Sequence, residues 1–354
     1  MKPLRKNVAL AVDGGGIKGL MVAVALMRLE KEVGKPIHEL FNLAAGTSTG
    51  SLITAGIAAG FDAHRIRDLY KALGPGIFKK TWRTLPIIKL LVPYKYDNGP
   101  LIAHLRQHLG EITLGELHQQ KPDFHMVITA TDVYAIETRF IKLHKSRYAD
   151  WKLWEAALAS STVPAVFPPF LHHFKKMPDD PSDQGWIPEM RYWVDGGMGS
   201  YCNPCFMAAY EIAFCLSKQG WSLDNTTLIS IGTGRNPLHQ VWKKWLGKRR
   251  GPTAMFGPEW AFPAIETFLH DANEQQVRLT KHFFADAIKK GLDFRRFNIA
   301  YAKPITLDQV DSIQELERYG EKMGEMIVND ETDDVGEFGC GGSQTFTPLK
   351  GGKR

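Results

Sequence analysis

The chain has 354 residues, 44% hydrophobic and 23% charged, with a formal net charge of +6. This excludes a disordered or fibrous polypeptide and supplies apolar side chains for one large α/β domain or two smaller ones. Mild basicity favours anionic surfaces without identifying one, and four cysteines are too few for a disulfide scaffold.

The basic residues 1–7 are followed by only a short apolar run, 8–12. That is too short for a secretory leader, and no apolar stretch reaches membrane-spanning length. The expectation is a cytoplasmic protein with peripheral membrane contact. Residues 8–12 predict a buried parallel strand. Asp13-Gly14-Gly15-Gly16-Ile17-Lys18-Gly19 follows, then helical periodicity over 20–31. The spacing is neither a dinucleotide fingerprint nor a Walker loop. Consecutive glycines can aim several N–H groups at one point, which would hold either a phosphate or a developing oxyanion. Gly14, Gly15 and Gly16 are the candidate donors. Lys18 either holds this loop or faces solvent, and Asp13 reads as a structural residue at the strand end.

Residues 43–52 contain Gly-x-Ser-x-Gly at Gly46, Ser48 and Gly50, between an apolar run and a helix-compatible run ending at Ala59. Strand, sharp turn and helix are the context of a nucleophile elbow, and the helix start points its positive dipole end at the serine. Ser48 is the candidate nucleophile, and a glycine-rich turn into a helix is the plain alternative.

Residues 60–100 are less regular. Within them, 78–96 mix basic, aromatic and aliphatic side chains, as an interfacial segment or an ordinary packed surface would. Helical pieces are expected over 100–109 and 114–118. Strands are expected over 124–132 and 138–143, and a helix over 150–159 with Asp150 as N-cap. A proline- and aromatic-rich segment runs from Ser160 to Phe170, and a polar excursion covers 177–185. A short strand, 192–195, brings Asp195 to an Asp-Gly-Gly turn with Gly196 and Gly197. Cys202 and Cys205 form a lone Cys-x-x-Cys without the second pair a zinc site needs, so structural thiols and no metal are expected. A strand over 227–234 ends in a glycine turn. The basic stretch 241–250 carries two tryptophans and suits an anionic surface, a nucleotide or a solvated helix face. A helix with a break (263–290), a closing strand or turn (293–300) and a last helix (312–328) complete a domain expected to span 1–328. An acidic then glycine-rich tail, 329–354, follows.

Taken together, Asp13 to Gly19, then Gly46 to Gly50, then Asp195-Gly196-Gly197 with Asn203-Pro204, resemble the patatin-like phospholipases of bacterial type. The resemblance covers residues 8–300. It implies an open, mostly parallel α/β sheet flanked by helices, with a Ser–Asp dyad of Ser48 and Asp195 and an oxyanion hole in the glycine loop. It also implies a lipid acyl hydrolase acting on phospholipid membranes without a cofactor. Most members carry arginine where this chain has Lys18. Some bacterial members are antiviral effectors switched on by cyclic nucleotides, so a cyclic nucleotide activator and a homo-oligomer fit the same reading, with no specific DNA or RNA contact. Two alternatives stand beside it. One is a Ser-His-Asp esterase drawing on His239, His270 or His282; the other is a non-catalytic membrane- or nucleotide-binding module.

Overall fold

A strand that is apolar at every position needs cover on both faces. The computed structural model describes residues 1–78, 94–176, 187–238, 240, 242–243, 261–286 and 290–333, and it gives residues 8–12 that environment. In chain order the strands are β1 (Asn7–Val12), β2 (Leu43–Thr47), β3 (His125–Asp132), β4 (Glu137–Lys142), β5 (Phe170–Lys176), β6 (Ile187–Asp195), β7 (Thr226–Ile231) and β8 (Asp293–Phe297). They form one sheet in the order β5-β6-β3-β2-β1-β7-β8, with β4 also paired to β3. From β3 to β8 all neighbours are parallel. β4 and β6 run antiparallel to β3, and β5 antiparallel to β6.

The helices are α1 (Gly19–Val33), α2 (Ile37–Leu40), α3 (Thr49–Ala58), α4 (Ala63–Ile77), α5 (Gly99–Leu109), α6 (Leu114–Gln120), α7 (Leu153–Ser161), α8 (Cys205–Tyr210), α9 (Ala261–Thr280) and α10 (Ile313–Asn329). Strand periodicity of two divides the interior. Leu10 and Val12 of β1 face a large core with α1, α3, α7 and α10. Ala9 and Ala11 face a smaller one with α8 and the end of α9. In α1, Leu20, Leu26 and Leu29 are fully buried, each worth roughly 2 kcal/mol of transfer free energy.

The register on β3 sets up the site. β4 occupies one edge of β3 from Val127 to Asp132. On the other edge β2 pairs as far as Thr129, and β6 pairs from Ala130 onward. β2 and β6 therefore run toward each other and meet tip to tip. Ser48 follows the last residue of β2, and Asp195 is the last residue of β6.

Several elements differ from expectation. The helix predicted over 150–159 starts at Leu153, where the Glu155 carboxylate accepts the Lys152 N–H at 2.7 Å. Asp150 is no cap; it contacts His173 Nε2 at 3.1 Å. The short strand at 192–195 is the end of the nine-residue β6, α4 falls in the stretch read as less regular, and β5 begins where the proline- and aromatic-rich segment ends. The break expected within 263–290 corresponds to a π-helical turn, Lys281–Asp286, after α9. Bonding also continues past the expected domain end at 328. Asp333 pairs with Arg235, and its N–H reaches the Arg296 carbonyl. The polar excursion, most of 78–96, nearly all of 241–250 and the glycine-rich part of the tail lie outside the described residues. Among the described residues no helix is long and apolar enough to cross a membrane, and no group of three metal-ligating side chains occurs.

Candidate active site

The glycine loop is anchored at its root. Asp13 lies at the end of β1 and receives two hydrogen bonds from Arg296 of β8, at 2.8 and 2.6 Å. Arg296 also donates to Ser230. Both ions are buried. Burial works against the charge of Arg296, but the Asp13 carboxylate outweighs it and holds the guanidinium above its ordinary range. Removing one member of such a pair leaves an uncompensated buried charge.

The three loop glycines differ in what their N–H groups do. That of Gly14 is donated to the Cys202 carbonyl at 2.8 Å, which takes it out of the set of free donors. Those of Gly15 and Gly16 have no partner among the described residues. A Cβ on Gly15 would overlap the Thr233 side chain, and one on Gly16, at φ +60°, would overlap the Leu307 carbonyl. Thr233 Oγ1 donates to the Gly14 carbonyl at 2.5 Å, and Ile17 N–H to the Leu307 carbonyl at 2.8 Å. Lys18, on the short turn Gly16–Lys18, is buried rather than turned to solvent.

Ser48 follows β2 and caps α3 with φ 54° and ψ −121°. A non-glycine residue in that region stores roughly 1–3 kcal/mol of strain and persists only where its surroundings over-determine it. Here they do. Ser48 N–H donates to Ser160 Oγ at 2.8 Å. Its carbonyl accepts from Ser51 N–H and Oγ, and from Ser161 Oγ at 3.2 Å. The flanking glycines are explained by contact: a Cβ on Gly46 would overlap the Gly50 carbonyl, and one on Gly50 the Val12 carbonyl. The elbow is thus folded tightly against the end of β1.

Asp195 is fixed through its backbone. Its N–H donates to the Thr162 carbonyl at 3.1 Å, and its carbonyl accepts from Thr131 Oγ1 at 3.1 Å. Gly197 N–H holds Oδ1 at 2.7 Å, and Gly196 packs on Thr129, leaving no space for a Cβ. Burial raises the carboxyl pKa to about 6, against the lowering effects of the nearby Ser48 hydroxyl and the Gly197 N–H. Oδ2 is buried without a regular hydrogen-bond partner. Ser48 is therefore close enough to influence the carboxyl without forming a well-aligned bond to that oxygen. Loose alignment is common in unliganded sites.

Ser48 opens onto a narrow apolar cavity of about 50 Å³, walled by Leu52, Leu73, Ile77, Leu101, Val163 and Phe167 among others. Phe78 and Phe167 line one side, and Tyr96 packs against both of them, with ring centroids 5.3–6.1 Å apart within the trio. A larger polar cavity of about 900 Å³ lies beside β8. Its Asp293 and Arg296 are paired within the protein, so volume alone does not mark the site. Among the described residues no histidine lines the Ser48 cavity or acts on the Asp195 carboxyl. His282 lies edge-on to Phe283, on the turn after α9, and His239 is outside the described residues.

Sequence reasoning missed Ser160, Ser161, Thr233 and Arg296. The Ser160-Ser161-Thr162 run before a proline was the signal for the first two. Arg296, 283 residues from Asp13, had none.

This arrangement has relatives. Patatin-like protein 2 of Oryza sativa subsp. indica is 30% identical over 224 residues, 58% of this chain and 52% of the relative. A cGAMP-activated phospholipase of Pseudomonas aeruginosa is 31% identical over 165 residues, covering 45% and 47%. One of Escherichia coli is 24% identical over 300 residues, covering 76% and 78%. The chain thus spans about half the length of the rice and Pseudomonas relatives. Among solved structures, VipD from Legionella pneumophila aligns with TM-score 0.44 and 12% identity, over 92% of this chain and 67% of that one. The model of the patatin-like phospholipase family matches residues 10–208, a span holding the glycine loop, Ser48 and Asp195, and by that match the chain belongs to this family.

Proposed function

We propose that the protein is a lipid acyl hydrolase of the phospholipase A type, with Ser48 as nucleophile and Asp195 as base. The observation that carries this reading is the unpartnered Oδ2 of a buried Asp195 beside a strained elbow serine that opens onto an apolar cavity. In this scheme Ser48 Oγ attacks the ester carbonyl as Asp195 takes its proton. The tetrahedral oxyanion is met by the free N–H groups of Gly15 and Gly16; each such donor is worth roughly 3–4 kcal/mol in the transition state. The proton passes to the leaving lysolipid oxygen, leaving an acyl-enzyme. Asp195 then draws a proton from water as it attacks the acyl carbonyl, and returns that proton to Ser48 Oγ as the acyl–oxygen bond breaks and the fatty acid leaves. A base with a pKa near 6 is ionised at neutral pH yet stronger than an ordinary aspartate.

The bacterial relatives named cGAMP-activated phospholipases support a second layer: a cyclic nucleotide that switches the activity on, and peripheral contact with phospholipid membranes. Mass spectrometry of fatty acid and lysolipid released from mixed phospholipid vesicles, with and without cyclic dinucleotides, tests both. Release that requires Ser48 is expected. Release undiminished by Ser48→Ala would overturn the mechanism, and indifference to every cyclic nucleotide would remove the activator.

A further inference from the structure

The antiparallel end of the sheet carries an apolar surface that packing does not explain. α8 packs on β1, β2 and β7, which covers that face of the parallel strands. Over β3 the same face is crossed by the turn Gly196–Met198. Beyond it, among the described residues, β5 and β6 are bare. The alternation along β6 is clean: Trp193 packs edge-on to Trp151 and Arg191 over Phe174 on the covered side, whereas Met190 and Tyr192 point outward and are half exposed. Leu171, the register partner of Tyr192, is exposed in the same way. A solvated sheet face ordinarily carries polar residues there.

The tip of the β3–β4 hairpin stands beside this surface: Val133 N–H donates to the Tyr192 carbonyl, and the Tyr134 ring lies against the Arg191 guanidinium on the covered side. Val133 is exposed, Tyr134 is 71% exposed and Ile136 is 89% exposed. Ile136 also has φ +55°, a left-handed conformation that is a genuine outlier for a β-branched residue. The chain thus bears strain to hold an isoleucine almost wholly in water, and neither stability nor packing benefits. Observed strain at an exposed tip is a legitimate start for a functional inference.

We infer that this face and the Tyr134–Ile136 tip are the surface by which the protein inserts into the apolar boundary of a phospholipid bilayer. The inference rests on the lipid-hydrolase reading for its choice of partner. Two observations favour a bilayer over a protein. Met190 and Tyr192 precede Trp193, the register partner of Asp132, so they stand beyond the level of Ser48 at the end of the sheet where the site opens. The tip also leads: Thr129 is level with Thr47, the residue before Ser48, and Val133 follows four residues later, at most about 13 Å further along. Interfacial elements sink ~5–10 Å into the headgroup boundary, which would bring Ser48 close to the ester level. The contact is apolar rather than electrostatic, because Glu137 pairs with Arg139, and Arg191 with Asp132 and Glu189.

The test is flotation of the Ser48→Ala protein with phosphatidylcholine vesicles, at low and high salt. Ile136→Asn keeps a residue that tolerates the left-handed conformation, and Leu171→Thr/Tyr192→Thr keeps strand propensity. Each should lower vesicle partitioning about tenfold, given the transfer free energy of a large apolar side chain, with little effect of salt or anionic lipid. The same substitutions in the Ser48 background should leave hydrolysis of a soluble short-chain ester unchanged, which reports an intact fold. Unchanged partitioning would overturn the inference. So would binding that needs anionic lipid and vanishes in salt, or a dimer in sedimentation that the substitutions split. If the Ser48 protein cuts no soluble ester, the hydrolase reading fails while flotation still decides the surface.

Discussion

Helices cover both faces of the parallel strands β1, β2 and β7, whereas among the described residues the antiparallel β5–β6 end is covered on one face. The two regions contribute to the site in different ways. The parallel region holds Ser48 by its backbone from several sides, through Ser160, Ser161 and the close approach of Gly50 to Val12. That environment can sustain strain. The extension presents Asp195 with one oxygen tied to Gly197 and the other without a partner. It supplies a group whose state can change. The lesson is that the proposed nucleophile is prepared by geometry and the proposed base by desolvation.

The sharpest way to break this division is to remove each group. Ser48→Ala and Asp195→Asn should each lower kcat on vesicles by about 10⁴ or more, with circular dichroism unchanged. A double variant that loses no more than either single one would mean they act as a unit. Next comes the anchor of the glycine loop. Arg296→Met leaves Asp13 buried and unpaired, and denaturant unfolding should register a loss of about 3–5 kcal/mol. A loss under 1 kcal/mol would show that Asp13 is not held as described.

The base is tested by pH. Because Asp195 has a folded pKa of about 6 against an unfolded 3.8, its carboxylate costs stability above about 6. The penalty is relieved as pH falls toward 4, where the folded form binds the extra proton. Asp195→Asn should therefore be the more stable protein at neutral pH, by up to about 3 kcal/mol, with the gap closing near pH 4. The acid limb of kcat/KM should lie near 6; a limb near 4 would refute desolvation as the tuning force. The smallest effect concerns the elbow's support. Ser160→Ala leaves the Ser48 N–H unpaired, and thermal unfolding should show a loss of about 1–3 kcal/mol.

How much of this was legible follows the same division. In the parallel region strand, loop and helix are contiguous, so the glycine loop and Gly-x-Ser-x-Gly announce themselves within a few residues. Asp195 sits in an ordinary Asp-Gly-Gly turn and gained meaning only beside the other two blocks. The capping of α4 by Asp62, which accepts the Arg65 N–H at 2.7 Å, was readable, but Gly74-Pro75-Gly76 at the far end obscured the helix. β5 was hidden because Leu171 is exposed while the neighbouring His172 is buried, so the polar–apolar alternation that marks a half-buried strand was missing. Arg296 and the Cys202 carbonyl act across long sequence separations, where no local pattern exists to be read.

The tip-to-tip meeting of β2 and β6 has a further meaning. Both strands take their register from β3, so the distance between Ser48 and Asp195 is counted in β3 residues rather than in the chain that separates them. The connection between β5 and β6 can therefore change length without moving the pair. A single residue inserted between Thr129 and Ala130 would push them apart by about 3.3 Å and turn Asp195 to the opposite face. β3 is thus the ruler that sets the spacing of the pair.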